Sequence, residues 1–282
     1  MINRSRFAFN TLTMGGPLHC KLNAIRGAGF STIELWGRDL IEHPDGLRRA
    51  AELVRHSRLR VCDYKLFRDF EGAPPRLRES KIEEAKTLIA QMREVGANLL
   101  IVCSNTSPDG VSDVGAMARD LAMLGRLAEP SGINIGYEGL SWGRWINTYE
   151  RAWEVVERAD APNVGLVIDS FHIFARHSSL AHLVGIPSDK IFLVQLSDYL
   201  QNDKEVVHLA RHHRVFPGEG PHDIPELVAR LEAIGYVGDY TFEVYNDDYV
   251  VAEPFDVAER AMRSVRWLQD RCEQVAVTPK TS

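Results

Sequence analysis

Short apolar runs and amphipathic, helix-length segments take turns along the whole 282-residue chain, and that alternation limits the fold more than any single motif. The apolar runs lie at 7–12, 32–36, 60–67, 97–103, 133–138, 164–169, 191–195 and 240–243. The segments at 17–29, 46–56, 75–96, 114–129, 148–159, 178–184, 224–234 and 254–274 separate or follow them and read as helices. In the third of these, Ile82, Ala85, Leu88, Ile89, Met92 and Val95 recur at helical spacing. Strands alternating with helices make a parallel sheet wrapped in helices. Eight such repeats are the count of an α/β fold of the (β/α)8 type, a closed barrel. A doubly wound open sheet is the rival, but it carries a Gly-rich turn after its first strand, and Thr13-Met14-Gly15-Gly16 imitates that fingerprint poorly. The expectation is one barrel domain over residues 1–276, with 277–282 as a disordered tail.

The second constraint is how four of the runs end. Residues 133–138, 164–169, 191–195 and 240–243 close on Glu138, Asp169, Gln195 and Glu243. A buried parallel strand is almost wholly apolar, so a carboxylate or amide at its last position is out of character with the core. Taken singly, each residue reads as well as a helix cap. Taken together on consecutive strands, the four predict one site at the C-terminal face of the barrel, where such folds place their chemistry. All-oxygen ligands suit a hard divalent ion such as Mg²⁺ or Mn²⁺. Zinc would favour nitrogen or sulfur ligands, and no His or Cys falls at these strand ends. His172, three residues past Asp169, reads as a ligand, a base or a helix-start residue, and its position just above the ion points to catalysis.

Composition narrows the partners. The formal net charge is −6 with the two signs interspersed, and Arg211-His212-His213-Arg214 is too short for a basic patch, so nucleic acid is not an expected partner. No run approaches the ~20 apolar residues of a membrane span, and no secretory signal follows the N-terminus. Cys20, Cys62, Cys103 and Cys272 are scattered without paired spacing and read as free thiols in a reducing cytoplasm. A small molecule is the expected partner, with a homo-oligomer as an open possibility.

Several stretches carry a resemblance over almost the whole chain. They are Phe67-Arg68-Asp69-Phe70-Glu71-Gly72, Tyr137-Glu138-Gly139-Leu140-Ser141-Trp142-Gly143-Arg144, Val167-Ile168-Asp169-Ser170-Phe171-His172, Val194-Gln195-Leu196-Ser197-Asp198 and Arg211-His212-His213-Arg214 with Phe216-Pro217-Gly218. With these the chain resembles the sugar phosphate isomerase/epimerase superfamily, the xylose-isomerase-like TIM barrels, and within it the bacterial 3-dehydroshikimate dehydratases. The resemblance implies a divalent metal (Mg²⁺, Mn²⁺ or Co²⁺) held by Glu138, Asp169, Gln195 and Glu243. It further implies a lyase that converts 3-dehydroshikimate to protocatechuate by proton abstraction and loss of water through a metal-stabilised enolate. The alternative is a keto-sugar or inosose isomerase, epimerase or dehydratase, so the substrate is a keto-acid or a keto-polyol. The dehydratase reading implies a place in aromatic catabolism, the degradation of quinate and shikimate.

On that reading His172 is the base, and Arg214 or Arg68 takes the substrate carboxylate, since a guanidinium binds it bidentately. Each arginine also has a plain reading, as a clamp for Arg68 and a solvated loop charge for Arg214. Glu34, at the end of the second run, either touches a substrate hydroxyl or bonds within the barrel. Trp142 and Trp36 either wall the pocket or pack under loops. The segment Glu34-Leu35-Trp36-Gly37-Arg38-Asp39 departs from the dehydratase pattern, and the second, dioxygenase-like domain of several dehydratases is not seen.

Overall fold

The computed structural model describes residues 2–200 and 203–277. Eight parallel strands close into a barrel: β1 (Phe7–Asn10), β2 (Thr32–Trp36), β3 (Arg60–Arg68), β4 (Leu99–Cys103), β5 (Asn134–Glu138), β6 (Val164–Asp169), β7 (Ile191–Leu196) and β8 (Asp239–Phe242). Each pairs with its neighbours in sequence, and β1 pairs with β8 to complete the ring. The expected (β/α)8 barrel is therefore the fold of the described residues. The tail expected at 277–282 lies outside them except for Val277, which closes the last helix, Pro254–Val277.

Alternation along each strand separates two cores. Outward side chains such as Phe9, Leu35, Val102, Tyr137, Ile168, Val194 and Phe242 pack beneath the helices in one large cluster. Inward, Ala8, Cys62, Leu99, Ile101, Val167 and Leu193 form a smaller plug that fills the barrel. Gly136 belongs to this inner face, where an added Cβ would stand 2.6 Å from Cγ2 of Val167. Below the plug, Arg60 forks onto Asp239 at 2.7 and 2.9 Å. Above it, at the C-terminal ends of the strands, the inner face turns polar, which is where the site forms.

Several element ends differ from the sequence expectation, for local reasons. β1 stops at Asn10 because the Asn10 side chain accepts the N–H of Leu12 at 3.0 Å and starts a 3-10 turn at Thr11–Thr13. The helix expected at 178–184 is a 3-10 turn, Leu180–Gly185, while an α-helix begins at once after β6, at Ser170–Ala175. Asp169 drives this early start, since its Oδ1 accepts the N–H of Phe171 at 2.8 Å and caps the first turn. After β7, where the sequence suggests only a long loop, the described residues form further structure. Asp198–Tyr199 pairs antiparallel with Arg214–Val215, and the helix Val206–His212 lies between them. All four cysteines are free, and Cys62, Cys103 and Cys272 are buried. No helix among the described residues is long and apolar enough to cross a membrane.

Ile101 sits fully buried in the inner plug, so Ile101→Ala should cost about 3 kcal/mol, the usual range for a large aliphatic removed from a core. Chemical denaturation checks this, with Val184→Ala, at an 80% exposed position, as the control expected to change stability by less than about 0.5 kcal/mol. Equal effects of the two substitutions would contradict the described packing.

Candidate active site

The polar mouth of the barrel is built by position on each strand. Glu138 and Asp169 are the last residues of β5 and β6, and Gln195 is next to last on β7, in register with Asp169 and with Thr241 of β8. Glu243 is the first residue past β8. Because the side-chain period of a strand is two, these residues share the inner face and converge. All four are buried, with relative exposures of 0–3%. Loops complete the mouth. A tight turn after β5, with Gly143 N–H donating to Leu140 O at 2.7 Å, carries Ser141 and Trp142 across it. Gly143 is needed there, since a Cβ would come within 2.0 Å of the carbonyl oxygen of Ile146.

Three of the side chains come together closely enough to share one ion: ligand atoms of Glu138, Asp169 and His172 all lie within 4.8 Å of one another. Nε2 of His172 is 3.3 Å from Oε1 of Glu138 and 3.5 Å from Oδ2 of Asp169. Its other nitrogen, Nδ1, lies 3.0 Å from Oγ and 3.2 Å from the backbone nitrogen of Ser141. Trp142 meets the imidazole edge-on at 5.1 Å. Arg214 is 2% exposed and deeply committed. Its Nη1 donates to Oδ2 of Asp169 at 2.7 Å, to Oγ of Ser197 at 3.2 Å and to the carbonyl of Glu243 at 3.3 Å, and its Nε donates to the carbonyl of Ala210 at 2.9 Å. The guanidinium also lies 4.5 Å over the ring of Phe171.

Gln195 and Glu34 form a pair beneath the mouth, Nε2 of Gln195 donating to Oε1 of Glu34 at 2.6 Å. The Thr241 hydroxyl donates to the other oxygen of Glu34. Arg68 stands at the rim of the cavity, and its buried Nε has no hydrogen-bond partner among the described residues. A cavity of about 370 Å³ opens above the cluster, lined among others by Trp36, Arg68, Glu138, Trp142, His172 and Arg214. It is the size of a small-molecule site. The structure thus brings Glu138, Asp169, His172, Arg214 and Glu243 around one centre. It sets Gln195 and Glu34 just beside them, and puts Arg68, Trp142 and Trp36 on the cavity wall.

One principal residue was not singled out in the sequence. Lys65 is 4% exposed and reaches the centre of the mouth, where its Nζ donates to Oε1 of Glu243 and lies 3.8 Å from both Oε2 of Glu138 and Oε1 of Glu34. Against β2, β3 carries an extra residue between Val61 and Asp63, which puts Asp63 beside Glu34 and turns Lys65, two residues on, inward. Two charges inside the third run, Asp63 and Lys65, were the available signal.

Electrostatics follow from this packing. Burial alone would raise the Glu138 carboxyl, but Lys65 and His172 overcome it and hold the group well below the usual carboxylate range. Burial pushes Glu34 up to about 8 despite Lys65, so it carries its proton at neutral pH. Burial also raises Glu243, opposed by Lys65 and Arg214. Lys65 is held above its ordinary value because its three carboxyl neighbours outweigh the cost of burying the ammonium.

Whether these residues suit a cation can be judged from atoms left over. Oε1 of Gln195, Oε2 of Glu243 and Nε2 of His172 are buried and have no hydrogen-bond partner among the described residues. Buried polar atoms are normally satisfied, and each unsatisfied one costs about 1–3 kcal/mol. Three acceptor atoms of this kind beside two further carboxylates fit a divalent ion. The groups present, mostly oxygen with one imidazole among them, suit a divalent ion.

Comparison with known proteins agrees with the geometry. A family profile described as xylose isomerase-like TIM barrel matches residues 22–271. A 3-dehydroshikimate dehydratase from Pseudomonas aeruginosa is 35% identical over 94% of this chain, and the match spans 42% of that protein's length. An inosose isomerase from Bacillus subtilis is 33% identical over 46% of this chain and 46% of its own. Among solved structures, a xylose isomerase-like TIM barrel/4-hydroxyphenylpyruvate dioxygenase fusion protein superposes with a TM-score of 0.93 at 32% identity, covering 99% of this chain and 46% of that one. The chain therefore spans less than half the length of the dehydratase relative and of the fusion protein.

At the edge of the site, burial pushes the Glu71 carboxyl up to about 8, against the N–H of Asn105 and the hydroxyl of Tyr137, which both donate to its Oε1. The folded value lies above the ordinary 4.5, so the folded chain holds this proton more tightly than the unfolded chain. Its contribution to stability is complete below pH 4.5 and is lost as pH rises through about 8. Glu71→Gln keeps the Oε1 acceptor without the charge. Thermal midpoints of wild type should therefore fall relative to this variant between pH 5 and pH 8.5, as expected for a folded value near 8. A constant difference across that range would contradict the assignment.

Proposed function

The chain belongs to the xylose isomerase-like TIM-barrel family, and from that premise we propose that it is a divalent-metal-dependent lyase acting on 3-dehydroshikimate to form protocatechuate. The observation that carries the proposal is the set of buried acceptor atoms on Gln195, Glu243 and His172 that have no hydrogen-bond partner among the described residues, beside the carboxylates of Glu138 and Asp169 and under a cavity of small-molecule size. The likeness to the Pseudomonas dehydratase supports the choice of substrate.

In this reading Glu138, Asp169, Gln195 and Glu243 hold the ion. When bound, a divalent cation supplies electrophilic stabilisation of negative charge on the ketone oxygen. The side chains do the rest. A C–H bond next to the ketone loses its proton, the β-hydroxyl leaves, a C=C bond forms, and one water is released. A second proton then passes from a ring carbon to the former ketone oxygen, which makes the ring aromatic with no further net change. His172 takes the first proton at Nε2, in the tautomer whose Nδ1–H donates to Oγ of Ser141, 3.0 Å away. It then returns the proton to the departing hydroxyl. Arg68, whose Nε lacks a partner among the described residues, receives the substrate carboxylate. Arg214, already bonded to Asp169 and Glu243, serves as the residue that positions both of them, and any substrate contact would come from the part of its guanidinium that faces the cavity. Glu34 fixes the orientation of Gln195 by accepting from its Nε2, so that Oε1 points away from it.

A second reading, isomerisation or dehydration of a keto-polyol with the same cluster, draws on the likeness to the Bacillus inosose isomerase. One assay separates them: purified protein, stripped and reloaded with Mg²⁺, Mn²⁺ or Co²⁺, is followed for aromatic absorbance with 3-dehydroshikimate and tested in parallel on keto-polyols. Turnover of the polyols alone would overturn the dehydratase reading.

Glu138→Gln and Asp169→Asn should abolish metal-dependent turnover while leaving the circular-dichroism spectrum unchanged, and full activity of Glu138→Gln after chelation would refute the metal role. His172→Ala should lower kcat by about 10²–10⁴-fold, the range for loss of a general acid–base group, with little change in metal affinity. An equal loss of metal binding would make His172 a ligand instead.

A further inference from the structure

Lys65 is unlike the other residues of the mouth, because it brings a positive charge to the place where the ligand set calls for a cation. Its Nζ has three carboxyl groups within 4 Å, those of Glu243, Glu138 and Glu34, and two of these are candidate metal ligands. We propose that the Lys65 ammonium is an internal counter-ion that shares Glu138 and Glu243 with the divalent cation, so that lysine and metal ion compete for the same oxygens.

The physical case has three parts. First, carboxylates crowded into a buried site repel one another and are costly without compensation, and Lys65 supplies that compensation from within the chain. Second, an ammonium bonded to Glu243 and 3.8 Å from Glu138 repels a dication held by the same groups, which lowers affinity for the ion. Third, the lysine has somewhere to go. Its side chain lines both the cavity above the cluster and a neighbouring one of about 410 Å³, bounded by Trp36, Arg38, Tyr64, Arg68 and Tyr245. A four-carbon stem on a bulged strand reaches either. A plain structural clamp between β3 and the end of β8 would share the contacts but would not set metal affinity.

The proposal rests on reading Glu138 and Glu243 as metal ligands, and it is independent of the substrate. It is tested by Mn²⁺ titration calorimetry on chelator-treated, dialysed wild type, Lys65→Gln, Lys65→Met and Lys65→Arg, together with thermal midpoints in the presence of chelator. The neutral variants should bind Mn²⁺ at least about tenfold more tightly, equivalent to about 1.4 kcal/mol, while Lys65→Arg keeps the wild-type affinity. In chelator the neutral variants should melt below wild type, and Mn²⁺ should raise their midpoints by more. Neutral variants that bind Mn²⁺ no more tightly than wild type would overturn the role of Lys65 while leaving the metal centre intact. Failure of wild type and all variants to bind Mn²⁺ would overturn the centre itself. If the neutral variants fold only with the ion, loaded proteins are challenged with a chelator series, and a wild type that keeps Mn²⁺ as long as Lys65→Gln also overturns the proposal.

Discussion

The crowding of buried carboxyl groups at one end of the barrel is the constraint on which the rest depends. Glu138, Asp169 and Glu243 lie on the inner face of a closed sheet, each 3% exposed or less. Burying an uncompensated charge is among the largest unfavourable terms in a protein, so every nearby feature answers to it. Arg214 is drawn under the mouth and bonded to Asp169. Lys65 is turned inward onto Glu243. Glu34 keeps its proton, with its value raised to about 8. What these groups leave unsatisfied, on Gln195, Glu243 and His172, is a set of acceptors suited to a further cation.

The barrel explains why this crowding is tolerated. The apolar plug of Ala8, Cys62, Leu99, Ile101, Val167 and Leu193 separates the polar mouth from the Arg60–Asp239 pair at the other end. Polar layers above and below an apolar middle let the strands stay well packed while their last residues serve chemistry. Ala210, Arg211, His212 and Arg214 then wall one side of the mouth, pinned by the Arg214 N–H on the carbonyl of Tyr245 at 3.0 Å.

What was legible in the sequence follows from range. The eight strands and most helices rest on local periodicity, and β2 and β6 have the bounds the pattern implies. Glu138, Asp169 and Gln195 could be picked out because each interrupts an apolar strand near its end, and His172 because it lies one helical turn past Asp169. Arg214 could be named as a candidate, but its burial could not, because that depends on a non-local pairing between Asp198–Tyr199 and Arg214–Val215. Lys65 was hidden by the bulge of β3 at Cys62, opposite the step from Ile33 to Glu34, which reverses the inward–outward parity that the sequence alone suggests. The short helix at Ser170–Ala175 was missed because six residues are too few to show a 3.6-residue period.

The most direct test of the account is a crystal of the protein loaded with Mn²⁺, measured at a wavelength where manganese scatters anomalously. The account predicts one anomalous peak at the barrel mouth, within bonding distance of oxygens from Glu138, Asp169, Gln195 and Glu243, with the Lys65 ammonium moved off Glu243. A peak coordinated elsewhere, or none at a saturating concentration, would contradict it.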